Sequence, residues 1–323
     1  MSEALQPDGS RLSHFPVSFF AMVMGLAGLT LALAAAEKVL RIAPGASLAT
    51  LAMAAACFVV LAAFYLTKMV RHPKDVAAEW AHPVRIAFFP AVSISLLLIA
   101  TAILPYAPGM AKGLWIIAVA LQAVLTLSVV ANWIGHRAFQ PIHLNPAWFI
   151  PAVGNVIVPV AGASMGFVEI SWLFFSAGIM FWIVLLTLVV NRLIFHDPLP
   201  GRMLPTLVIL IAPPAVAFIA YVKLGGEIDA FARILINVGY VFAAVVATQL
   251  PKFKRLPFAL SWWALSFPVA ALTIASLMFS EMTGSIPHRV IGLGLLVFLL
   301  VVVAGLLLRT AAAIRANEIC KPE

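Results

Sequence analysis

Charged residues are scarce in this sequence. Asp, Glu, Lys and Arg make up only 10% of its 323 residues, whereas a soluble domain typically carries about 25%. Hydrophobic residues make up 64%, and the mean hydropathy is +1.10. This composition excludes a soluble globular protein and is typical of a polytopic membrane protein. It also leaves too little polar chain for a soluble catalytic domain.

Ten apolar segments follow one another along the chain, each close to the roughly 20 residues that cross about 30 Å of hydrocarbon. We predict membrane-spanning helices at residues 15–36, 47–69, 85–105, 111–133, 147–166, 170–191, 203–222, 230–250, 257–280 and 287–309. Residues 1–14 and 310–323 would be short tails of one transmembrane domain, residues 15–309. The predicted fold class is therefore all-α and integral to the membrane.

No Asp, Glu, Lys or Arg falls in the middle of a predicted span. Ionisable residues inside a membrane usually mark proton relays, ion-coupling sites or voltage sensors, so proton coupling and strong intrinsic voltage gating are disfavoured. The two cysteines, Cys57 in the second span and Cys320 in the C-terminal tail, are expected to stay unpaired. Because acids, histidines and cysteines are not clustered, an enzyme is excluded. We expect no cofactor, no metal and no nucleic-acid partner.

Proline alternates along the spans. The even-numbered spans have none in their interiors, and the odd-numbered spans carry Pro16, Pro90, Pro151, Pro159, Pro213, Pro214 and Pro268. Proline kinks or breaks a helix, and a membrane tolerates a broken helix only beside protein or a water-filled cavity. The alternation predicts five helical hairpins. In each, a distorted first helix faces something polar, and a regular second helix faces lipid or neighbouring helices.

Glycines and small polar residues are the other candidates within the odd spans. Gly25 and Gly28 in the first span would let the chain bend or pack closely. Ser93 lies in the third span, and Gly154 lies in the fifth. Asn155, between two prolines of the fifth span, has two interpretations: it faces a cavity, or it satisfies a neighbouring backbone group.

Lysine and arginine are unevenly divided between the two sides of the predicted bundle. The side that holds both chain ends collects 14 of the 20 basic residues and about +7 of net charge, against about +1 on the other side. The positive-inside rule therefore places both termini in the cytoplasm. The basic side has a second interpretation, in which it gathers anions at the mouth of a pore.

Short segments in order along the chain resemble one known family. They are Met24-Gly25-Leu26-Ala27, His82-Pro83-Val84-Arg85, Pro151-Ala152-Val153, Trp172-Leu173-Phe174-Phe175-Ser176-Ala177-Gly178, Ala212-Pro213-Pro214, Gly226-Glu227-Ile228-Asp229 and Ser261-Trp262-Trp263-Ala264-Leu265-Ser266-Phe267-Pro268. Together they resemble the tellurite-resistance/dicarboxylate transporter family. That family includes the bacterial tellurite-resistance membrane protein and the plant guard-cell slow anion channels. The likeness covers nearly the whole chain, with the same number of spans.

The resemblance implies five tandem hairpins, with the odd helices as an inner ring around a central pore and the even helices as an outer ring. It also implies a homotrimer in a bacterial inner membrane. In such proteins a phenylalanine of the ninth helix plugs the pore, and it corresponds to Phe267, which is followed here by Pro268. From the residues alone, Phe267 could also be an ordinary core aromatic, since the chain has 22 phenylalanines.

A structural or signalling membrane protein also fits the composition, but the proline alternation disfavours it. These observations favour two functions. The first is an anion channel that conducts small monovalent anions such as chloride and nitrate through a neutral pore gated by Phe267. The second is a secondary transporter of small anions such as C4-dicarboxylates, sulfite or tellurite. The candidate pore-lining or helix-kink residues are Gly25, Gly28, Pro90, Ser93, Pro151, Gly154, Asn155, Pro159, Pro213, Pro214 and Pro268.

Overall fold

The structure is a computed structural model that describes residues 10–135, 139–253 and 256–320. Residues 1–9 and 321–323 of the predicted tails lie outside the described residues. Within the three described ranges the regular structure is helical, without a β-strand. Ten helices form the body of the protein: α1 (Phe20–Leu40), α2 (Ala46–Arg71), α3 (Ala91–Ile103), α4 (Pro108–Gly135), α5 (Phe149–Gly162), α6 (Val168–Phe195), α7 (Ala212–Lys223), α8 (Ala230–Ala247), α9 (Ser266–Thr283) and α10 (Ile286–Arg315).

Each odd-numbered helix is preceded by a 3-10 segment that continues the span. These leading segments are Val17–Phe19, Arg85–Phe88, Pro146–Trp148, Gly201–Ile211 and Leu260–Leu265. The even-numbered helices are uninterrupted α-helices of 18 to 30 residues. Among the described residues, nine helices, counted with their leading segments, are long and apolar enough to cross a membrane; the fifth, Pro146–Gly162, is shorter.

Most of the candidate kink prolines lie where an α-helix begins rather than inside it. They occupy the cap or the first turn of their helices: Pro90, Pro151, Pro213, Pro214 and Pro268. The first N–H groups of an α-helix have no partner within the helix, so proline there costs no hydrogen bond. Pro159 differs, since it lies inside α5. The prediction of kinks is therefore corrected at these five positions: proline marks the junction between the 3-10 segment and the α-helix.

The five odd-numbered helices form a closed ring. Along the ring α1 packs against α3, α3 against α5, α5 against α7, α7 against α9, and α9 against α1. Each of them also packs against the even-numbered helix that follows it in the chain, which gives five hairpins. The predicted inner and outer rings are confirmed.

Burial separates the two rings. In the apolar windows of α1, α3, α7 and α9 between 72% and 89% of the residues are buried, and in α5 every residue except Val160 is buried. In the even-numbered helices only 17% to 33% are buried. The outer helices expose many large apolar side chains, such as Val59, Leu127 and Val301, as a lipid-facing surface requires.

Both described ends of the chain lie on one face of the bundle, which we call the terminal face. The odd-numbered helices run from this face to the opposite one, the far face. On the terminal face a short helix, Pro73–Ala81, connects α2 to the leading segment of α3. We call it the interfacial helix. It is too short to be a span, and the sequence analysis did not predict it.

Candidate functional site

A cavity of about 1120 Å³ lies within the inner ring, on its terminal side. All five odd-numbered spans contribute to its wall. Residues of both chain ends and of the loops surround its mouth: Ser13, His14, His82, Pro200, Pro257, Glu318, Ile319 and Cys320. The cavity is thus a vestibule that starts at the terminal face.

The vestibule reaches only part of the way through the ring. Following each span inward, the last described residues that line it are Met24, Ile94, Ile157, Ala212 and Pro268. Four of them lie at or near the beginning of their α-helices, whereas Ile157 lies past the middle of α5. Among the described residues, no lining residue comes from the later halves of α1, α3, α7 and α9. The later halves of these helices contribute buried side chains, such as Phe218 and Leu277.

The α-helical parts of the inner spans start around this vestibule. Their first turns supply wall residues in four helices: Ala21, Phe149, Ala212 and Phe267. The N-terminus of an α-helix carries a partial positive charge, because its peptide dipoles are aligned and its first N–H groups lack helical partners. Here the N–H groups at the helix starts already have partners in the leading segments, since Ala212 donates to the carbonyl of Ile209 and Ser266 donates to the carbonyl of Trp263. The helix starts therefore add no free donors to the wall of the vestibule.

Phe267 lies at the inner end of the vestibule. It is the second residue of α9, its side chain is 8% exposed, and it lines the cavity together with Pro268. A Cβ atom at Gly28 would lie 3.2 Å from Cδ2 of Phe267. The aromatic ring therefore rests against the backbone of α1, across the helix contact that closes the inner ring.

The absence of a side chain at Gly25 permits a second part of the contact between α1 and α9. A Cβ atom at Gly25 would collide with the side chain of Ser266 and would lie 3.2 Å from Cε3 of Trp263. Gly25 and Gly28 thus allow α1 to approach α9 closely, one of the two roles that the sequence left open for them. The other role, a bend of the chain at these glycines, is not required for the contact, since α1 is a continuous helix over Phe20–Leu40.

A polar network joins α3, α4 and α5 beside the ring. Oε1 of Gln122 accepts a hydrogen bond from the Ser93 hydroxyl at 2.7 Å, and Nε2 of Gln122 donates to the carbonyl of Pro151 at 3.1 Å. The Asn155 amide donates to the same carbonyl at 3.0 Å, and this side chain is 2% exposed. Gly154 leaves room for Gln122, because a Cβ atom there would overlap its amide. Asn155 therefore satisfies backbone oxygens and does not line the vestibule.

The mouth of the vestibule is charged, although its inner end is not. The titratable side chains that line it are His14, Lys68, Asp75, Glu79, His82, Arg85, Arg202 and Glu318. The arginines and Lys68 belong to the basic side, whose two interpretations were membrane orientation and the gathering of anions at a pore mouth. Their convergence depends on the leading segments and on the interfacial helix, neither of which has a clear sequence signal.

A buried ion pair fixes one side of this mouth. Nζ of Lys68 lies 2.9 Å from Oε2 of Glu79, and each side chain is 3% exposed. Lys68 also donates to the carbonyl of Phe15 at 2.8 Å, and Oε1 of Glu79 accepts from the backbone N–H of Val17 at 2.6 Å. The pair thereby joins α2 and the interfacial helix to the start of the first inner span. Tyr65 adds a hydrogen bond to the Glu79 carboxylate at 3.1 Å.

The described residues contain no group of three or more His, Cys, Asp or Glu side chains placed to hold a metal ion. Cys57 and Cys320 are both free thiols. Burial raises the pKa of the Cys320 thiol more than the nearby charges of Arg11 and Lys68 lower it.

Residues 14–311 match the family model described as SLAC1, voltage-dependent anion channel. The chain belongs to this family. The S-type anion channel SLAH3 of Arabidopsis thaliana is 28% identical over 93% of this chain, which spans 48% of that relative. The tellurite resistance protein TehA homolog of Haemophilus influenzae is 27% identical over 82% of this chain and 81% of the relative.

An uncharacterized transporter of Methanocaldococcus jannaschii is 25% identical over 97% of this chain and 98% of its own length. The chain thus matches the archaeal relative end to end, but it spans only about half of the plant channels SLAH3 and SLAH2. The resemblance found in the sequence is confirmed. The named homologues are channels and transporters, not enzymes, and the protein is a multi-pass membrane protein of an anion-transporting family.

Proposed function

We propose that the protein is an anion channel that conducts small monovalent anions, such as chloride and nitrate, along the axis of the inner ring. The observation that carries this proposal is the closed ring of five helices around a vestibule whose inner end is neutral and apolar. Phe267 is the proposed gate. An aromatic ring across a narrow apolar passage blocks ions by its volume and by excluding water.

A neutral passage supports conduction because it does not hold the ion. The innermost lining residues Met24, Ile94, Ile157 and Phe267 offer no charged group to an anion. Conduction requires that an ion enter readily and leave readily. Few groups replace the lost hydration water here, so we propose that large, weakly hydrated anions such as nitrate pass more readily than chloride.

The proposal includes a location and an assembly. We place the protein in the bacterial plasma membrane as a homotrimer, with the terminal face in the cytoplasm. The excess of Lys and Arg on the terminal side supports this orientation. The apolar surface of the outer helices offers area for both lipid and subunit contacts.

A planar bilayer experiment tests the channel. Purified protein is reconstituted under a chloride or nitrate gradient, and wild type is compared with Phe267→Ala. We expect Phe267→Ala to carry larger currents that reverse at the anion equilibrium potential and do not respond to a proton gradient. Phe175→Ala, which removes a similarly buried phenylalanine from the outer helix α6, is the matched control. Well-folded Phe267→Ala protein that conducts no better than wild type contradicts the gate.

A secondary transporter of small anions is the alternative function. The observation that favours it is the vestibule itself, which is accessible from the terminal face and ends inside the ring, as the one-sided state of a carrier does. C4-dicarboxylates, sulfite and tellurite are its candidate substrates. Saturable anion flux that requires proton movement, measured with the protein in liposomes, supports this alternative. Bilayer currents that follow the anion gradient alone exclude it.

A further inference from the structure

The far ends of three inner helices bring two lysines and one glutamate together. This inference rests on the proposed anion channel and concerns its opening at the far face, which we call the far mouth. Lys38 lies in the last turn of α1, Lys223 ends α7, and Glu281 lies near the end of α9. Since α9 packs between α1 and α7 in the ring, Glu281 stands on the middle helix of the three.

Glu281 is in direct contact with one lysine and close to the other. Oε1 of Glu281 lies 2.7 Å from Nζ of Lys38, and the two side chains are 42% and 70% exposed. Lys223 lies within electrostatic range of both. The carboxylate thus neutralises one of two positive charges at the far mouth of the ring.

Other acids near this mouth are held differently. Glu37 accepts hydrogen bonds from the backbone N–H groups of Gly45 and Ser47, at 3.1 and 3.0 Å. Asp229 accepts from the Ala232 N–H at 2.9 Å and from the Tyr221 hydroxyl at 2.6 Å. Both carboxylates cap loops or helices, whereas Glu281 has an ammonium group as its partner.

An anion at the far mouth meets the C-terminal ends of the inner helices. These ends carry partial negative charge, which repels an anion, and a lysine in the last turn compensates it. Lys38 and Lys223 are placed for this role on α1 and α7. An anion that approaches Lys38 must compete with the Glu281 carboxylate for the same ammonium group.

We propose that Glu281 sets how strongly the far mouth attracts permeating anions, and that Lys38 and Lys223 are the residues that attract them. The carboxylate of Glu281 holds the place that a small monovalent anion takes beside Lys38. Removal of its charge leaves two uncompensated ammonium groups at the mouth. A unit charge about 10 Å from the ion path changes the local anion concentration by about twofold in water.

Bilayer recordings in a Phe267→Ala background test the proposal with the gate removed. The variants are Glu281→Gln, Lys38→Gln and Lys223→Gln. The matched control is Glu169→Gln, the same charge change on the same face but in the first turn of the outer helix α6. Currents are measured at ionic strengths of about 0.1 M and about 1 M, where charges are screened over about 10 Å and about 3 Å.

Screening at the lower salt reduces the twofold effect, so we expect Glu281→Gln to raise the anion current from the far side about 1.3-fold there and to leave it unchanged at the higher salt. Lys38→Gln and Lys223→Gln lower it under the same conditions. If anion currents are present but Glu281→Gln matches Glu169→Gln, the far-mouth proposal is overturned and the channel stands. If neither wild type nor Phe267→Ala carries anion current, the channel proposal is overturned, and the far-mouth proposal with it.

Discussion

Gly28 of α1 lies directly beside the ring of Phe267 in α9. A Cβ atom at position 28 would lie 3.2 Å from Cδ2 of that ring and 3.0 Å from Cβ of Ala270. Both distances are tighter than ordinary van der Waals contact, so the absence of a side chain at Gly28 permits the observed position of the ring. The proposed gate thus depends on a residue of another helix.

The first prediction follows from this contact. Gly28→Ala should push the Phe267 ring out of its closed position and increase anion current in bilayers. Overpacking of about 1 kcal/mol shifts a conformational population about fivefold, so we expect a rise of that order. Gly294→Ala in α10 is the control, since a Cβ atom there meets nothing within 4 Å. An unchanged current in folded Gly28→Ala protein would show that the ring does not gate.

The second prediction compares two ion pairs. Glu79→Gln leaves the Lys68 ammonium, which is 3% exposed, without a counter-charge, and breaking a buried pair in this way costs about 3 to 5 kcal/mol. Glu281→Gln breaks the exposed pair with Lys38, and exposed pairs contribute at most about 1 kcal/mol. Thermal unfolding in detergent measures both. Equal melting temperatures for the two variants would refute the structural role of the Lys68 pair.

The third prediction concerns Gln122, which connects α3 to α5. Gln122→Leu removes the acceptor of Ser93 and a donor to the Pro151 carbonyl. The Ser93 hydroxyl keeps a bond to the Pro90 carbonyl, and the Pro151 carbonyl keeps its bond from Asn155. The loss is therefore that of two hydrogen bonds, each worth about 0.5 to 1.5 kcal/mol, and the melting temperature in detergent should fall. Gln249→Leu is the matched control, because the side chain of Gln249 donates to the exposed hydroxyl of Thr248. Equal stability of both variants would contradict the network.

The fourth prediction uses the thiol at the mouth of the vestibule. In a Cys57→Ser variant, Cys320 is the one remaining cysteine. Burial raises its pKa, and only the thiolate reacts with a maleimide. Its labelling rate should therefore be low near neutral pH and should still be rising above about 8.5, the ordinary thiol pKa.

An exposed thiol on the same tail calibrates this experiment. Ala316→Cys, combined with Cys57→Ser and Cys320→Ser, places the thiol at an exposed position four residues earlier. Its labelling should follow the ordinary thiol pKa. If Cys320 shows the same pH profile as this control, the tail does not rest in the vestibule.

The two rings were predictable because hydrophobic segments and prolines are periodic features of the sequence. Segment length gave ten spans, and the proline alternation separated the odd helices from the even ones. The alternation did not show whether each proline kinks a helix or marks its start. Pro213 and Pro268 are compatible with a kink or with a helix start, and only the backbone hydrogen bonds of the structure distinguish these roles.

The charged mouth was not predictable in the same way. Lys68 and Glu79 are eleven residues apart, and their contact depends on the interfacial helix turning the chain back across the terminal face. The helix is short and only weakly apolar, so hydropathy gives no signal for it. The role of Asn155 was not predictable from the sequence either. Its side chain can bond a solute or a backbone carbonyl, and tertiary packing determines which.

The junctions between the 3-10 segments and the α-helices around the vestibule have a consequence for how this protein can change over evolution. Backbone hydrogen bonds hold them, such as those from the N–H of Ala212 to the carbonyl of Ile209 and from the N–H of Ser266 to the carbonyl of Trp263. Nearly every residue type supplies these backbone groups. Side chains of the wall can therefore be exchanged while the α-helices still begin at the same depth in the ring.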